Sequence, residues 1–387
     1  MIVSELILKV TSCCNLNCQY CYVFNQGDTS YKQEPTVMNT DLITSIIQRI
    51  KEHCAKHQLK GFLVIFHGGE PLLASKEFFT DFVNIAKESL QGVEMRYGIQ
   101  TNGTLLTQEW FTLLDKLDIS IGVSLDGPYN ASQYRVYRST NENAYNEIIQ
   151  GINIIHKNDF PVNVLSVINT SESPQSIYNH LKINNISNVD FLYPDITYDN
   201  RNTVDTPTGN WLVEMFDMWY DDADKNKPLI RYFDSIVGIL VGVERGYEVL
   251  GRKENKTICI KPNGNIELVD NLKVCGNGFT KTTLNVLENT FDEALQLDLM
   301  KKYYYSHQDV VMCKKCKNCI IKDICGGGNL AHRYSTVNGF ENPSAYCCDI
   351  FLLVSHIQNR LMNDLPKVFG NSSIRKLDLA DLELVEQ

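Results

Sequence analysis

Apolar positions in the first half of the chain fall into short β-branched runs, separated by longer stretches in which they recur every three to four residues. The short runs predict strands at Glu5–Val10, Phe62–Phe66, Met95–Gln100, Ile119–Leu125, Val162–Ile168 and Val189–Tyr193. The periodic stretches predict helices at Thr40–His57, Lys76–Leu90, Gln108–Leu117, Asn143–His156 and Ser173–Ile183, each long enough for a right-handed crossover. Alternation of this kind is the pattern of an α/β fold, a parallel sheet covered by helices. Six strand predictions suit a partial (β/α)6 barrel better than a closed eight-fold one.

After Asp199 the sequence turns acidic and aromatic, with helical patterns at Gly209–Asp224 and Leu229–Val243. Cys259-Ile-Lys-Pro-Asn-Gly-Asn-Ile-Glu then reads as a β-hairpin with Asn263-Gly264 at its turn. Beyond it lies a loop-dominated, cysteine-rich module up to Cys348, closed by a helix near Ile350–Asn363, and the tail from Asn371 is polar. The expected division is a barrel domain at 1–198, a helical linker at 199–256, a cysteine-rich domain at 257–365 and a tail at 366–387.

At 387 residues and 43% hydrophobic content the chain can bury a substantial core. Its N-terminus has no basic region ahead of an apolar one, and no stretch nears the roughly 18 apolar residues of a membrane span. A soluble cytoplasmic protein is the expectation. A formal charge of -10 argues against a nucleic-acid partner, which would need a local basic excess.

Cysteine usage changes the picture. Of 13 cysteines, Cys13, Cys14, Cys18 and Cys21 sit together, Cys54 is alone, and the rest fall between Cys259 and Cys348. Clustering at both ends of a reduced-compartment protein points to metal ligation rather than to a disulfide scaffold. Cys14-Asn-Leu-Asn-Cys18-Gln-Tyr-Cys21 follows the first strand, where α/β folds build sites. Three thiolates with no fourth ligand nearby suit a 4Fe-4S cube with one open iron; a zinc loop or redox thiols are the alternatives. Cys13 falls outside the spacing. Later strands end in His67-Gly68-Gly69-Glu70-Pro71, Gln100-Thr101-Asn102-Gly103 and Ser124-Leu125-Asp126-Gly127-Pro128, where glycines admit close backbone approach to a ligand.

These segments, in order over roughly residues 5–195, resemble the radical S-adenosylmethionine (SAM) superfamily. The resemblance implies that Cys14, Cys18 and Cys21 hold a 4Fe-4S cluster whose open iron chelates SAM, and that reductive cleavage of the sulfonium yields a 5′-deoxyadenosyl radical. It further implies cofactor contacts at Tyr20 beside the adenine, at Gly68, Gly69 and Glu70 near the methionyl ammonium, at Asn102, and at Ser124 and Arg135 near the ribose or carboxylate. An external electron donor such as flavodoxin or ferredoxin would be needed.

Cys313-x2-Cys316-x2-Cys319-x5-Cys325, followed by Cys347, is too dense for free thiols. It resembles the SPASM extension, which holds two auxiliary 4Fe-4S clusters and would bring the total to three; a zinc ribbon uses similar x2 spacings. The resemblance assigns Cys316, Cys319, Cys325 and Cys347 to the outer cluster, and Cys259 and Cys275 to the inner one. Asn329 stands where another cysteine is usual, which leaves Cys313 as the candidate for a third inner thiolate, with one iron open. Cys348 is a weaker candidate.

The segment from Cys325-Gly-Gly-Gly-Asn-Leu-Ala-His-Arg-Tyr-Ser to Gly339-Phe-Glu-Asn-Pro-Ser-Ala-Tyr-Cys347 resembles the end of enzymes that form cyclophane crosslinks in ribosomal precursor peptides. Asp270 resembles that group too, and a carboxylate there can accept the proton released as an aromatic ring is restored. Sulfatase maturation, the main competitor, places its aspartate base directly after the cysteine corresponding to Cys275, where this chain has Gly276. Thioether formation and epimerisation are further options, although Cys54 is poorly placed as a hydrogen donor. A non-catalytic iron-sulfur electron carrier is the other class, and it would not need the strand-end motifs. With the first cluster beginning at Cys14, no leader-binding domain is expected ahead of the barrel.

Overall fold

The computed structural model describes residues 1–201, 206–366 and 374–383; of the tail expected from Asn371, residues 371–373 and 384–387 lie outside these residues. All six expected strands form, with ends within two residues of expectation: β1 (Glu5–Thr11), β2 (Gly61–Gly68), β3 (Glu94–Thr101), β4 (Ile119–Ser124), β5 (Asn163–Val167) and β6 (Asn188–Leu192). The helices between them are α1 (Asp41–His57), α2 (Lys76–Ser89), α3 (Gln108–Lys116), α4 (Tyr145–Lys157) and α5 (Pro174–Ile183). Local chemistry explains their starts. Ser75 accepts the Phe78 N–H, Thr107 the Trp110 N–H and Ser173 the Ser176 N–H, each capping a first turn. Ile43, Ile46, Ile47 and Ile50 of α1 recur at helical spacing and are buried, as an amphipathic covering helix requires.

The chain folds as two compact units. The first comprises Met1–Leu125, Ser132–Leu165 and Lys256–Tyr304. Its strands run in the order β5-β4-β3-β2-β1 and continue with β8 (Thr257–Ile260) and β9 (Ile266–Glu267). Neighbours from β5 to β8 are parallel, and β9 returns antiparallel to β8. The expected α/β class, a parallel sheet with covering helices, is thus observed. The expected hairpin forms around Gly264, whose φ of +83° suits the turn. Sequence pattern had assigned it to the cysteine-rich domain. In the structure β8 lies beside β1, with Ile7 opposite Cys259, because the open edge of β1 offers unpaired backbone groups. Two short helices, α8 (Phe291–Ala294) and α9 (Asp298–Tyr304), complete this unit.

The second unit comprises Asp126–Ala131, Ser166–Asn255 and Tyr305 onward. It holds α5, β6, α6 (Pro207–Asp221), the two-residue β7 (Leu229–Ile230), α7 (Arg231–Leu240), α10 (Lys314–Asn318), α11 (Lys322–Cys325) and α12 (Cys347–Asp364). The closing helix begins at Cys347, earlier than its apolar pattern suggested. Asp349 in its first turn accepts the Gly209 N–H of α6 at 2.7 Å, and a Cβ at Gly209 would meet the Asp349 Cα at 2.8 Å. No helix among the described residues is long and apolar enough to cross a membrane.

Candidate functional site

The first cysteine loop leaves β1 at the C-terminal end of the sheet and is strapped to residues 134–138. Asn17 donates its N–H to Val136 O at 2.7 Å, Gln19 to Tyr134 O at 3.2 Å, and Arg138 to Asn15 O at 2.9 Å. The Arg138 side chain adds a hydrogen bond to Cys14 O at 3.3 Å. Within the loop, Cys21 N–H bonds Cys18 O at 3.0 Å, closing a turn that brings the thiols toward one another. Burial pushes the Cys14 thiol up to about 12, and the charges of Glu70, Cys18 and Cys21 add to the effect. Burial raises Cys21 as well, and buried thiols that resist ionisation on their own fit a metal cluster, which would supply the missing positive charge. Cys14, Cys18 and Cys21 are the residues that would hold it. Arg135, 6% exposed, places its guanidinium 5.4 Å from the centre of the Tyr20 ring, so two expected cofactor contacts form one surface.

Glu70 is fully buried with both carboxylate oxygens occupied. Oε1 accepts the Leu72 N–H at 3.0 Å and the Thr101 hydroxyl at 2.7 Å, while Oε2 accepts the Asn102 N–H at 2.7 Å. Its carboxylate therefore joins the loops after β2 and β3. Burial raises it to about 7 against these donors. Asn102 carries the connection on to the cysteine loop, donating to Asn15 Oδ1 at 2.9 Å and toward Cys14 Sγ at 3.7 Å. Gly69 has no room for a side chain, since a Cβ would lie 2.0 Å from Cys13 O, and Gly68 has a φ of +147°. Ser124 Oγ accepts from Gln100 at 2.9 Å.

Next to these loops lies a buried group of charges around Asp270. Its carboxylate pairs with Lys9 of β1 and with Lys261 just after β8, all three at most 3% exposed. Burial alone would raise Asp270, but the charges of Lys261, Lys9 and Lys273 win and hold it well below the usual carboxylate range. His67 Nδ1 lies 3.2 Å from Lys9 Nζ and accepts the Gly68 N–H, so the ring also fixes Lys9. A lysine interrupting the apolar run Glu5-Leu-Ile-Leu-Lys-Val was the available signal for this group.

Of the cysteines expected at the inner cluster, Cys259 and Cys275 belong to the first unit and Cys313 to the second. Cys259, wholly buried on β8, has its sulfur 3.9 Å from Asp270 Oδ1, and Cys275 ends the turn Asp270–Cys275 in the same unit. Cys313 belongs to the second unit, where it shares a hydrogen bond with Cys316 that favours its own thiolate. Spacing alone could not reveal that preference. Cys316, Cys319, Cys325 and Cys347, the expected outer set, line one cavity. Gly326, Gly327 and Gly328 all adopt positive φ around it, which explains the glycine run. The N–H groups of Gly327 and Gly328 donate to Cys325. Four converging sulfurs around one cavity fit a cubane cluster.

His53, His57 and Asp292 also converge, with ligand atoms within 4.8 Å of one another. There the Val3 N–H donates to His53 Nε2 at 2.9 Å, so Nδ1 keeps its hydrogen and faces Asp292 at 3.2 Å. That is a hydrogen-bonded tie between α1 and α8 rather than a set of open metal donors.

Comparison with known proteins agrees with this geometry. Residues 8–182 match the Radical SAM superfamily. A cysteine-type anaerobic sulfatase-maturating enzyme of Clostridium novyi is 26% identical over 363 residues, 89% of this chain and 92% of that one. A serine-type enzyme of Bacteroides thetaiotaomicron is 25% identical, covering 89% and 86%. A solved structure of native anSMEcpe with bound AdoMet shares the fold at a TM-score of 0.79 and 22% identity, over 94% of this chain and 99% of that one. Residues 8–182 are thus similar to the Radical SAM superfamily, in a chain similar along most of its length to anaerobic sulfatase-maturating enzymes.

Proposed function

We propose that this chain is a peptide maturase: a 5′-deoxyadenosyl radical takes a hydrogen atom from a side-chain carbon of the substrate, and Asp270 receives the proton released as the second electron leaves. The substrate class is inferred from the sulfatase-maturating relatives and from the likeness to anSMEcpe holding AdoMet and the Cp18Cys peptide, at a TM-score of 0.77. When bound, SAM and its cluster supply the radical and an auxiliary cluster supplies an acceptor for the second electron. The protein's own part rests on Asp270, the observation that carries the reading. Lys9 and Lys261 keep it ionised and fixed, and a weak base suffices because an oxidised carbon centre releases a strongly acidic proton.

Formylglycine formation from cysteine or serine is the first reading of the product. Gly276 had counted against it, for want of an aspartate at that position. Gly276 caps the turn with open space around it, whereas Asp270 starts the same turn and is buried among the lysines, so a carboxylate is available from a different position. A carbon-carbon crosslink in a ribosomal precursor peptide is the second reading, favoured by the Cys325–Cys347 segment.

The test is anaerobic incubation of the reconstituted protein with SAM, dithionite and either a sulfatase-motif peptide or a candidate precursor. Expected are 5′-deoxyadenosine and a peptide that reacts with a hydrazide, the mark of an aldehyde. Loss of two hydrogens without hydrazide reactivity selects the crosslink. Intact clusters with no 5′-deoxyadenosine overturn both readings.

A further inference from the structure

Arg333 is among the largest fully buried side chains of the protein. Its Nη2 donates to Ser306 O at 2.7 Å, but Nε and Nη1 have no hydrogen-bond partner. A guanidinium stays charged in proteins, and a buried charge with unmet donors is among the costliest arrangements a fold can contain. An anion is therefore called for beside it. Cys316, Cys313 and Cys325 are the titratable groups near enough to act on Arg333 electrostatically. Gly327, which lines the four-cysteine cavity, packs so near that a Cβ there would lie 3.0 Å from Arg333 Nη1. A 4Fe-4S cube with four thiolates carries net negative charge, greater still when reduced, and that is the counter-charge the guanidinium lacks.

We propose that Arg333 is the buried counter-cation of the cluster that Cys316, Cys319, Cys325 and Cys347 would hold, donating Nε and Nη1 hydrogens to sulfur on the Cys313–Cys316 side and raising that cluster's reduction potential. It is a positioning and tuning residue and touches no substrate. Hydrogen bonds to cluster sulfurs and local charge are established determinants of such potentials. Arginine serves here better than lysine because its planar fork reaches Ser306 O and the sulfurs together.

The experiment is an EPR-monitored redox titration of the reconstituted protein without SAM or peptide, so its outcome is independent of the proposed reaction. The outer signal is assigned by its loss in Cys347→Ala. In Arg333→Met the oxidised-to-reduced ratio of that signal at fixed potential rises tenfold or more, equivalent to 59 mV for one electron, while the signal of the first cluster stays put. Arg333→Lys shifts less. Melting adds a sign test: without clusters Arg333→Met is at least as stable as the parent, and with clusters it is less stable. An unchanged potential, or equal destabilisation with and without clusters, overturns the proposal and leaves Arg333 as a strut for Ser306. If Arg333→Met does not fold, the parent labelled with 15N-arginine decides the matter. A 15N coupling to the reduced outer cluster in an ENDOR spectrum supports the contact, and its absence overturns it.

Discussion

Glu70 Oε2 accepts the backbone N–H of Asn102 at 2.7 Å, and through this bond the loop after β2 holds the loop after β3, which in turn meets the first cysteine loop at Asn15. Three donors converge on one carboxylate. Glu70→Gln keeps the shape but turns one acceptor into a donor, leaving a buried N–H facing another. The expected cost is about 1–3 kcal/mol of stability together with at least tenfold weaker SAM binding. Thermal melting and calorimetry on the reconstituted protein measure both, and unchanged SAM affinity would show that the clamp does not shape the site.

Gly69 sits where a Cβ would lie 2.0 Å from Cys13 O, which is backbone and cannot yield cheaply. Gly69→Ala should therefore displace the cysteine loop, and iron bound by the first cluster should drop well below that of the parent. Gly61→Ala is the control, because its Cβ would be 3.7 Å from Glu94 O, an ordinary contact. Equal iron content in the two variants would refute the steric argument.

Much of this arrangement was legible in the sequence because it is local. The Cys14-x3-Cys18-x2-Cys21 spacing and the glycine-rich strand ends need only short stretches of chain, and they fall where the strand pattern placed them. The Lys9–Asp270 pair joins the first strand to a turn far along the chain, and no local pattern encodes which distant strand fills the edge of β1. The two residues of β7 are too few to show alternation. Arg333 was hidden for a different reason. An arginine in a polar loop reads as solvated until its burial is known.

Removing one member of the Lys9–Asp270 pair leaves the other buried and uncompensated. Lys9→Met should cost roughly 3–5 kcal/mol, softened because Asp270 keeps Lys261. Asp270→Asn should spare the first step and stop the second. 5′-Deoxyadenosine formation is expected within a few-fold of the parent while modified peptide falls about 100-fold or more, in line with the contribution of a positioned base. Chromatographic quantitation of both products in one reaction reads the ratio. Parallel loss of the two would place Asp270 in SAM binding instead of proton acceptance.

His180 of α5 is 8% exposed, and burial lowers its pKa from 6.5 to about 4. The folded state therefore prefers the neutral ring, and between these values the unfolded chain binds more protons than the native one. Stability contributed by this group is fully present above pH 6.5 and is lost as pH falls toward 4. The loss is on the order of 2 kcal/mol, allowing for residual solvation. His307 and His332, buried and lowered to about 4 and about 3, act in the same direction. In His180→Gln the titrating group is gone, so stability from urea unfolding at pH 7 and pH 4.5 should differ by less than in the parent. An equal difference in both proteins would mean that His180 is protonated within the fold or that the ring reaches solvent before global unfolding.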